Sequence, residues 1–361
     1  MEKIENNYTR RTPLAPLQED LGAKFVDFGG WDLPVLYSSI VEETEAARSR
    51  CGLFDVSHMG RFFVSGEKAH AELDRILSRD LGSLKVGRQR YSLLLDEEGF
   101  ILDDLMVARI GKTEFLVVVN AGNLESDRRW IEEHLGGDAI LVDRSPETLM
   151  MALQGPIAEK VFVQSTGCDL SGMKFLDVTE ANFAGVPFLV SRSGYTGSDG
   201  FEISVPIQGG IELWVELLEA GAKPCGLGAR DLLRLEMAYP LYGHELTNQV
   251  RPHECGLEWA LSKKGDFIGK ASIEKNPPRT ELIGFVLEKK AIPRHGYPVE
   301  VDGIEVGAVT SGGLSARLPN GFGLARVAKD AVRDTLDIVI RDKRVPARRE
   351  QTPFIADGLK R

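Results

Sequence analysis

Apolar residues at helical spacing run through 67–79, where Ala69, Leu73, Ile76 and Leu77 make one stripe. The same spacing recurs over 123–135, 156–165, 209–220 and 229–238, and Pro156 sits in a first turn, where its missing N–H does no harm. Between these stretches, short apolar or alternating runs predict strands at 91–95, 100–108, 114–119, 138–143, 148–153, 186–192 and 199–205. Hairpins alternating with helices point to an α+β fold rather than a doubly wound parallel sheet. The pattern changes at KNPPRT (275–280), whose consecutive prolines end regular structure. Beyond it come ELIGFVLEKK, the hairpin VEVDGIEVGAV turning on Asp302-Gly303, and TLDIVIRDKRVPAR. With almost no helical periodicity, this tail predicts a small antiparallel barrel or sandwich.

Composition narrows the class. A chain of 361 residues, 43% apolar and 27% charged, fits a globular protein of two or three domains. A net charge of −10 argues against a broad nucleic-acid or anionic-membrane surface. No run approaches a membrane-spanning length, and the opening MEKIENNYTR lacks the apolar core of a signal peptide. Four scattered cysteines without C-x-x-C suit a reducing cytoplasm. Charge is uneven: residues 251–361 hold 20 Lys/Arg against 15 Asp/Glu, and the first 250 hold 24 against 39. Within the basic tail, 341–349 carries five basic residues and one acid, as a solvated strand face or a landing patch for an acidic partner would.

The motifs that would mark a P-loop enzyme, a Rossmann dehydrogenase, a nucleophile-elbow hydrolase or a zinc protease are all missing, and the six histidines lack metal-ligand spacing. The most unusual segment is a hairpin turning on Asp96-Glu-Glu-Gly99. In its returning strand Ile101, Asp103, Leu105 and Val107 share one face, and Leu102, Asp104, Met106 and Ala108 the other. Each apolar face therefore carries one carboxylate, which either caps backbone amides near the turn or sits buried with a raised pKa as a usable acid/base. Asn120 ends a buried strand, and Asn123 reads as the cap of the following helix. Gly194-Tyr195-Thr-Gly197 packs glycines round a tyrosine, as either a ligand-approaching loop or a structural hairpin would. Glu202 interrupts the apolar run Phe-Glu-Ile-Ser-Val, and Arg230 opens a helix, where the dipole disfavours a cation unless an anion answers it. A ligand, or a structural pairing of Arg230 with Asp231 or Glu202, would serve equally.

These residues lie in strings that resemble the aminomethyltransferase family, the T-proteins of the glycine cleavage system. The strings are Phe28-Gly-Gly-Trp-Asp-Leu-Pro34, Gly52-Leu-Phe-Asp-Val-Ser-His-Met-Gly60, Ile101-Leu-Asp-Asp-Leu105, Val118-Val-Asn-Ala121 and Leu153-Gln-Gly-Pro156, then Gly194-Tyr-Thr-Gly197, Gly226-Leu-Gly-Ala-Arg-Asp231, Leu241-Tyr-Gly243 and Thr310-Ser-Gly312. The resemblance implies a three-domain cloverleaf with mixed α/β N-terminal domains and a small antiparallel β-barrel at the C-terminus. Residues 1–50 with 138–245 would form one domain, 51–137 with 246–274 the second, and 275–361 the barrel. It implies tetrahydrofolate as co-substrate in a central hole and no metal. The expected partner is lipoylated H-protein, with P- and L-proteins in the same pathway, no nucleic acid and no membrane, in the cytoplasm. Position by position, Asp104 falls on the family's catalytic carboxylate, Asn120, Tyr195, Glu202, Arg230 and Tyr91 on folate-contacting positions, and Met59 on the pocket wall. Ser198 and His244 depart from the usual Glu and Gln, and Gly313-Leu-Ser-Ala-Arg replaces a usual S-P element.

Overall fold

The structure, a computed structural model, describes residues 10–355. The first nine residues, which fall in the opening discussed above, and the last six lie outside the described residues. Three sheet units carry the fold. The first is a six-stranded sheet in the order Val178–Phe183, Val186–Ser191, Gly200–Pro206, Thr148–Gln154, Gly52–Asp55 and Lys223–Cys225. Its neighbours are antiparallel except the last pair. Helices Ala158–Thr166 and Ile207–Glu219 cover one face, burying Phe162, Phe201 and Trp214. The second is a five-stranded antiparallel sheet, Arg88–Leu95, Ile101–Arg109, Glu114–Val119, Gly60–Ser65 and Ile140–Asp143, under helices Ala69–Ile76 and Leu124–His134. The third is a closed six-stranded barrel from Thr280–Leu287 to Lys343–Glu350. A smaller three-stranded sheet of Arg10–Arg11, Trp31–Leu36 and Lys24–Phe28 completes the set.

Each expected helix is present with its ends within three residues of the pattern. Asp302 and Gly303 both take positive φ, 53° and 79°, the mirror-image turn whose twist suits a two-residue hairpin. A second turn of this kind, at Arg341 and Asp342, joins the last two barrel strands without any glycine to announce it. The sheets divide the chain differently from the expected 50/51 and 137/138 boundaries. Gly52–Asp55 pairs within the first sheet, and Ile140–Asp143 within the second. Gly52–Asp55 is buried throughout and only four residues long, too short to show a period. The crossovers between the two sheets are fastened by Arg61, whose buried guanidinium donates to the carbonyls of Ser57, Met59, Ser145 and Thr148.

In the 341–349 run, Lys343, Arg344, Arg348 and Arg349 are exposed on a barrel strand that follows the Arg341-Asp342 turn. Arg344 pairs with Glu300 at 2.5 Å, Arg348 with Glu350 at 2.8 Å and Arg349 with Glu281 at 2.6 Å, so its charge is largely answered within the barrel.

Candidate active site

Between the two α+β units lies a cavity of about 1050 Å³, walled by strands of both sheets, the helix Leu227–Glu236 and the segment 239–259. The barrel contributes none of its lining among the described residues. The strand Ile101–Arg109 alternates as its sequence dictates. Asp103 points under helix Leu124–His134 with 0% exposure, on the face of Leu105 and Val107. Asp104 points the other way, into the cavity.

One amide ties the two carboxylates together. Asn120 donates from its backbone N to Asp103 Oδ2 at 3.0 Å, and from Nδ2 to Asp103 Oδ1 at 2.8 Å and Asp104 Oδ1 at 2.9 Å. Tyr91 donates its hydroxyl to Asp104 Oδ2 at 3.1 Å. Burial first, and the neighbouring Asp103 charge second, push the Asp104 carboxyl up to about 7, against the pull of the Tyr91 and Asn120 donors. Burial also holds the Tyr91 phenol well above its ordinary value, so it remains a donor. Asn123 is not the side-chain cap its position suggests. Its Nδ2 donates to the Leu102 carbonyl and to Asp103 Oδ1 at 2.8 Å, a charge-assisted bond that turns the side chain towards the buried carboxylate.

The opposite wall brings Glu202, Tyr195 and Arg230 together. Strand Gly200–Pro206 alternates, so Glu202 faces the cavity rather than the core and accepts from the Ser193 hydroxyl at 2.6 Å. Arg230 lies over the Tyr195 ring at 5.0 Å, and its buried Nη1 has no partner among the described residues. Asp231 turns instead to Arg234 at 2.8 Å. Tyr195 donates to the Pro240 carbonyl and stacks near Tyr239. Gly194 lines the cavity and also has a packing reason to be glycine. A Cβ at Gly194 would stand 1.9 Å from Gln154 Oε1, so the glycine makes room for that buried amide. Met59 lines the wall beside Val118.

Two lining residues escaped sequence reasoning. His58 is 5% exposed with Nδ1 unpartnered, and burial with the cations Arg230 and Arg61 pulls its pKa down to about 3, leaving a neutral imidazole facing the cavity. Trp259, 55% exposed, stacks on Tyr91 at 5.3 Å and carries the Arg79 guanidinium 5.5 Å from its ring. The Ser-His-Met string could have flagged His58, but lacking a second titratable group at hydrogen-bond spacing it carries no chemistry by itself. Trp259 sits in a 3₁₀ turn outside any periodic stretch. Among the described residues, no group of three or more His, Cys, Asp and Glu side chains is placed to hold a metal.

The donor set suits a ring-bearing anion. The cavity is large enough for a ligand of drug size, its walls supply aromatic faces, and Glu202 matches the donor edge of a pterin-like ring. The orphaned Arg230 Nη1 matches a carboxylate.

Comparison with known proteins places the chain in a family. The GCVT N-terminal domain model matches residues 14–265, and the glycine cleavage T-protein C-terminal barrel domain model matches 281–355. The chain is 46% identical over 357 residues to an aminomethyltransferase of Geobacillus sp. (strain WCH70), covering 96% of this chain and 98% of that one. It is also 46% identical over 358 residues to an aminomethyltransferase of Anoxybacillus flavithermus, with the same coverage. The crystal structure of glycine cleavage system aminomethyltransferase T from Bartonella henselae matches with a TM-score of 0.91 at 32% identity, over 96% of this chain and 98% of that one. Two domain models that together run nearly end to end, near-full-length relatives and a shared three-unit fold lead to one conclusion: the chain belongs to the aminomethyltransferase family, the T-proteins of the glycine cleavage system.

Proposed function

We propose that the aminomethyl transfer performed by this chain takes its one-carbon unit from the aminomethyl-dihydrolipoyl arm of H-protein and delivers it to tetrahydrofolate. Ammonia, 5,10-methylenetetrahydrofolate and dihydrolipoyl H-protein are the products. The observation that carries this reading is a carboxyl with a pKa near neutrality, Asp104, facing a cavity whose far wall offers Glu202 and Arg230. The C–N bond of the aminomethyl group breaks only if its nitrogen leaves as ammonia, which needs a proton. The protonated Asp104 carboxyl supplies it as one folate nitrogen bonds to the carbon, and the resulting carboxylate takes the proton from that nitrogen, so no net proton is lost at the residue. The second folate nitrogen then bonds to the same carbon as its C–S bond breaks, and the proton it loses goes to the departing thiolate of the dihydrolipoyl arm. Tyr91 and Asn120 hold the two carboxyl oxygens in place while this happens. Asp104, with Tyr91, Asn120, Tyr195, Glu202, Arg230 and the wall residue Met59, forms the proposed site. Four unpaired thiols fit a reducing compartment, and a cytoplasmic location is part of the proposal. No helix among the described residues is long and apolar enough to cross a membrane.

The test is a methylenetetrahydrofolate assay with purified chain and loaded H-protein. Asp104→Asn should lower kcat by roughly 10²-fold while leaving folate affinity within a few-fold, the scale of a lost general acid/base. In the wild type, kcat should fall as pH rises through about 7, because the proton that leaves with ammonia is then missing. A fully active Asp104→Asn would remove Asp104 from the mechanism.

A further inference from the structure

Asp127 is a carboxyl that the proposed reaction does not touch. It lies on helix Leu124–His134, 1% exposed, one turn beyond Asn123, and its backbone N–H closes the first turn on the Asn123 carbonyl at 2.8 Å. No donor among the described residues reaches its buried Oδ2. Asn123, which bonds Asp103 at 2.8 Å, and Asp127 lie four residues apart on one helix face, so that face sets the Asp127 carboxyl beside the Asp103 carboxylate, with which it interacts. Two carboxyl groups in contact away from water make a bond only when one of them keeps a proton. Asp103 already receives three amide donations, one backbone and two side-chain, which suit its ionised form. Asp127 Oδ2 receives none among the described residues, so the proton belongs to Asp127.

We propose that Asp127 is a positioning residue for the transfer reaction, its buried carboxylic acid donating to the Asp103 carboxylate and so completing the set of donors that keeps Asp103 ionised and fixes Asn120 against Asp104. The direction of the electrostatics supports the geometry, since burial first and the Asp103 charge second push the Asp127 acid up to about 11. The groups facing this cluster are few. Asp103 and Asp104 stand on the paired strand, Tyr91 on the next, and Tyr242 on the 239–259 segment, with Tyr195 and the Cys255 thiol towards Asp104. All four outer groups are neutral near pH 7, because burial holds the three phenols and the thiol above their ordinary values. The resident charge that raises Asp104 is therefore that of Asp103, and it does so as long as Asp103 stays ionised.

The test has two arms. Infrared difference spectroscopy on the intact chain, well above neutral pH, should show a protonated carboxyl stretch that vanishes in Asp127→Asn. This arm needs no substrate and is independent of the proposed reaction, on which the second arm rests. There the pH dependence of kcat is compared in the wild type, Asp127→Asn and Asp127→Leu. The asparagine amide can still donate to Asp103, so its profile should overlay the wild type within a few-fold. The leucine cannot, so Asp103 takes up a proton, its charge disappears, and the inflection assigned to Asp104 should move down by about one pH unit or more. A structural role alone would lower stability and leave that inflection where it is. The proposal is overturned if the infrared band is absent from the wild type or survives in Asp127→Asn. It is equally overturned if a folded Asp127→Leu keeps the wild-type inflection, or if Asp127→Asn shifts it as far as leucine does.

Discussion

Arg230 is a cation turned towards a cavity with one guanidinium nitrogen unpartnered among the described residues, and Glu202 stands on the same wall, near enough to interact with Arg230 and accepting from the Ser193 hydroxyl. If both exist to hold a folate, each should lose binding when changed. Glu202→Gln and Arg230→Ala are each expected to weaken tetrahydrofolate by about 1.5–3 kcal/mol, the range for a hydrogen bond to a charged group. Titration calorimetry reads the change directly, and folded variants that bind like the wild type would leave Arg230 as no more than a stacking partner of Tyr195. At this scale the sequence was informative where a charge broke an apolar strand, as Asp104 does. It was uninformative where the partner is distant in the chain. Asn123 occupies a cap position, yet its amide is claimed by Asp103 twenty residues earlier. Asp127 stands in a helix's first turn, where the dipole favours any acid, and only tertiary burial makes it an acid that keeps its proton.

Elements were legible in proportion to their length and period. The amphipathic helices Leu124–His134 and Ile207–Glu219 and the hairpin at Asp302-Gly303 followed their patterns, because one face of each meets a core. Short strands such as Gly52–Asp55 did not, nor did the helix Ile40–Ser49, whose buried positions include Glu43 and Thr44. Glu43 is buried to receive the backbone N–H groups of Tyr37, Ser38 and Gly226, a long-range role that no local period encodes. The Gly194 loop is the case where both local readings find support, since Gly194 lines the cavity and packs against Gln154. Gln154 fills the space beside it, donating to the Ser193 carbonyl at 2.9 Å and accepting from the Thr196 hydroxyl at 2.7 Å. Gly194→Ala should force that amide aside and cost about 1–3 kcal/mol as an overpacked site. Urea unfolding measures it, and an alanine variant as stable as the wild type would show that Gln154 moves freely.

On the scale of the whole molecule, the barrel is clamped to the first α+β unit by buried ion pairs that also shape the cavity. Arg234 and Glu245, at 1% and 0% side-chain exposure, meet at 2.9 Å, and Arg234 reaches across to the Ser311 hydroxyl on a barrel strand at 2.7 Å. Beside them Arg48 meets Glu236 at 2.7 Å, and Glu236 accepts from Ser315 at 2.6 Å. The same Glu245 carboxylate accepts the backbone N–H of Leu241 at 3.0 Å, and Arg234 donates to the Tyr239 carbonyl at 3.3 Å. Tyr239, Pro240 and Leu241 line the cavity, so the clamp between units is also the brace of one active-site wall. Glu245→Gln keeps the shape but removes the buried partner of a buried guanidinium, leaving only the exposed Asp231 opposite it, and losing one member of a buried pair costs about 3–5 kcal/mol. Stability should fall by that order, and the KM for tetrahydrofolate should rise as the wall loosens. The pH inflection of kcat should stay in place, because neither residue touches Asp104. Replacing both partners, Arg234→Met with Glu245→Leu, should recover much of the stability, since no charge is then left uncompensated, while the loosened wall keeps the KM high. Urea unfolding and folate kinetics on the three forms separate the two effects. If Glu245→Gln unfolds like the wild type, the clamp contributes nothing to the union of barrel and body; if the double variant also restores the KM, the brace on the cavity wall is not made by this pair.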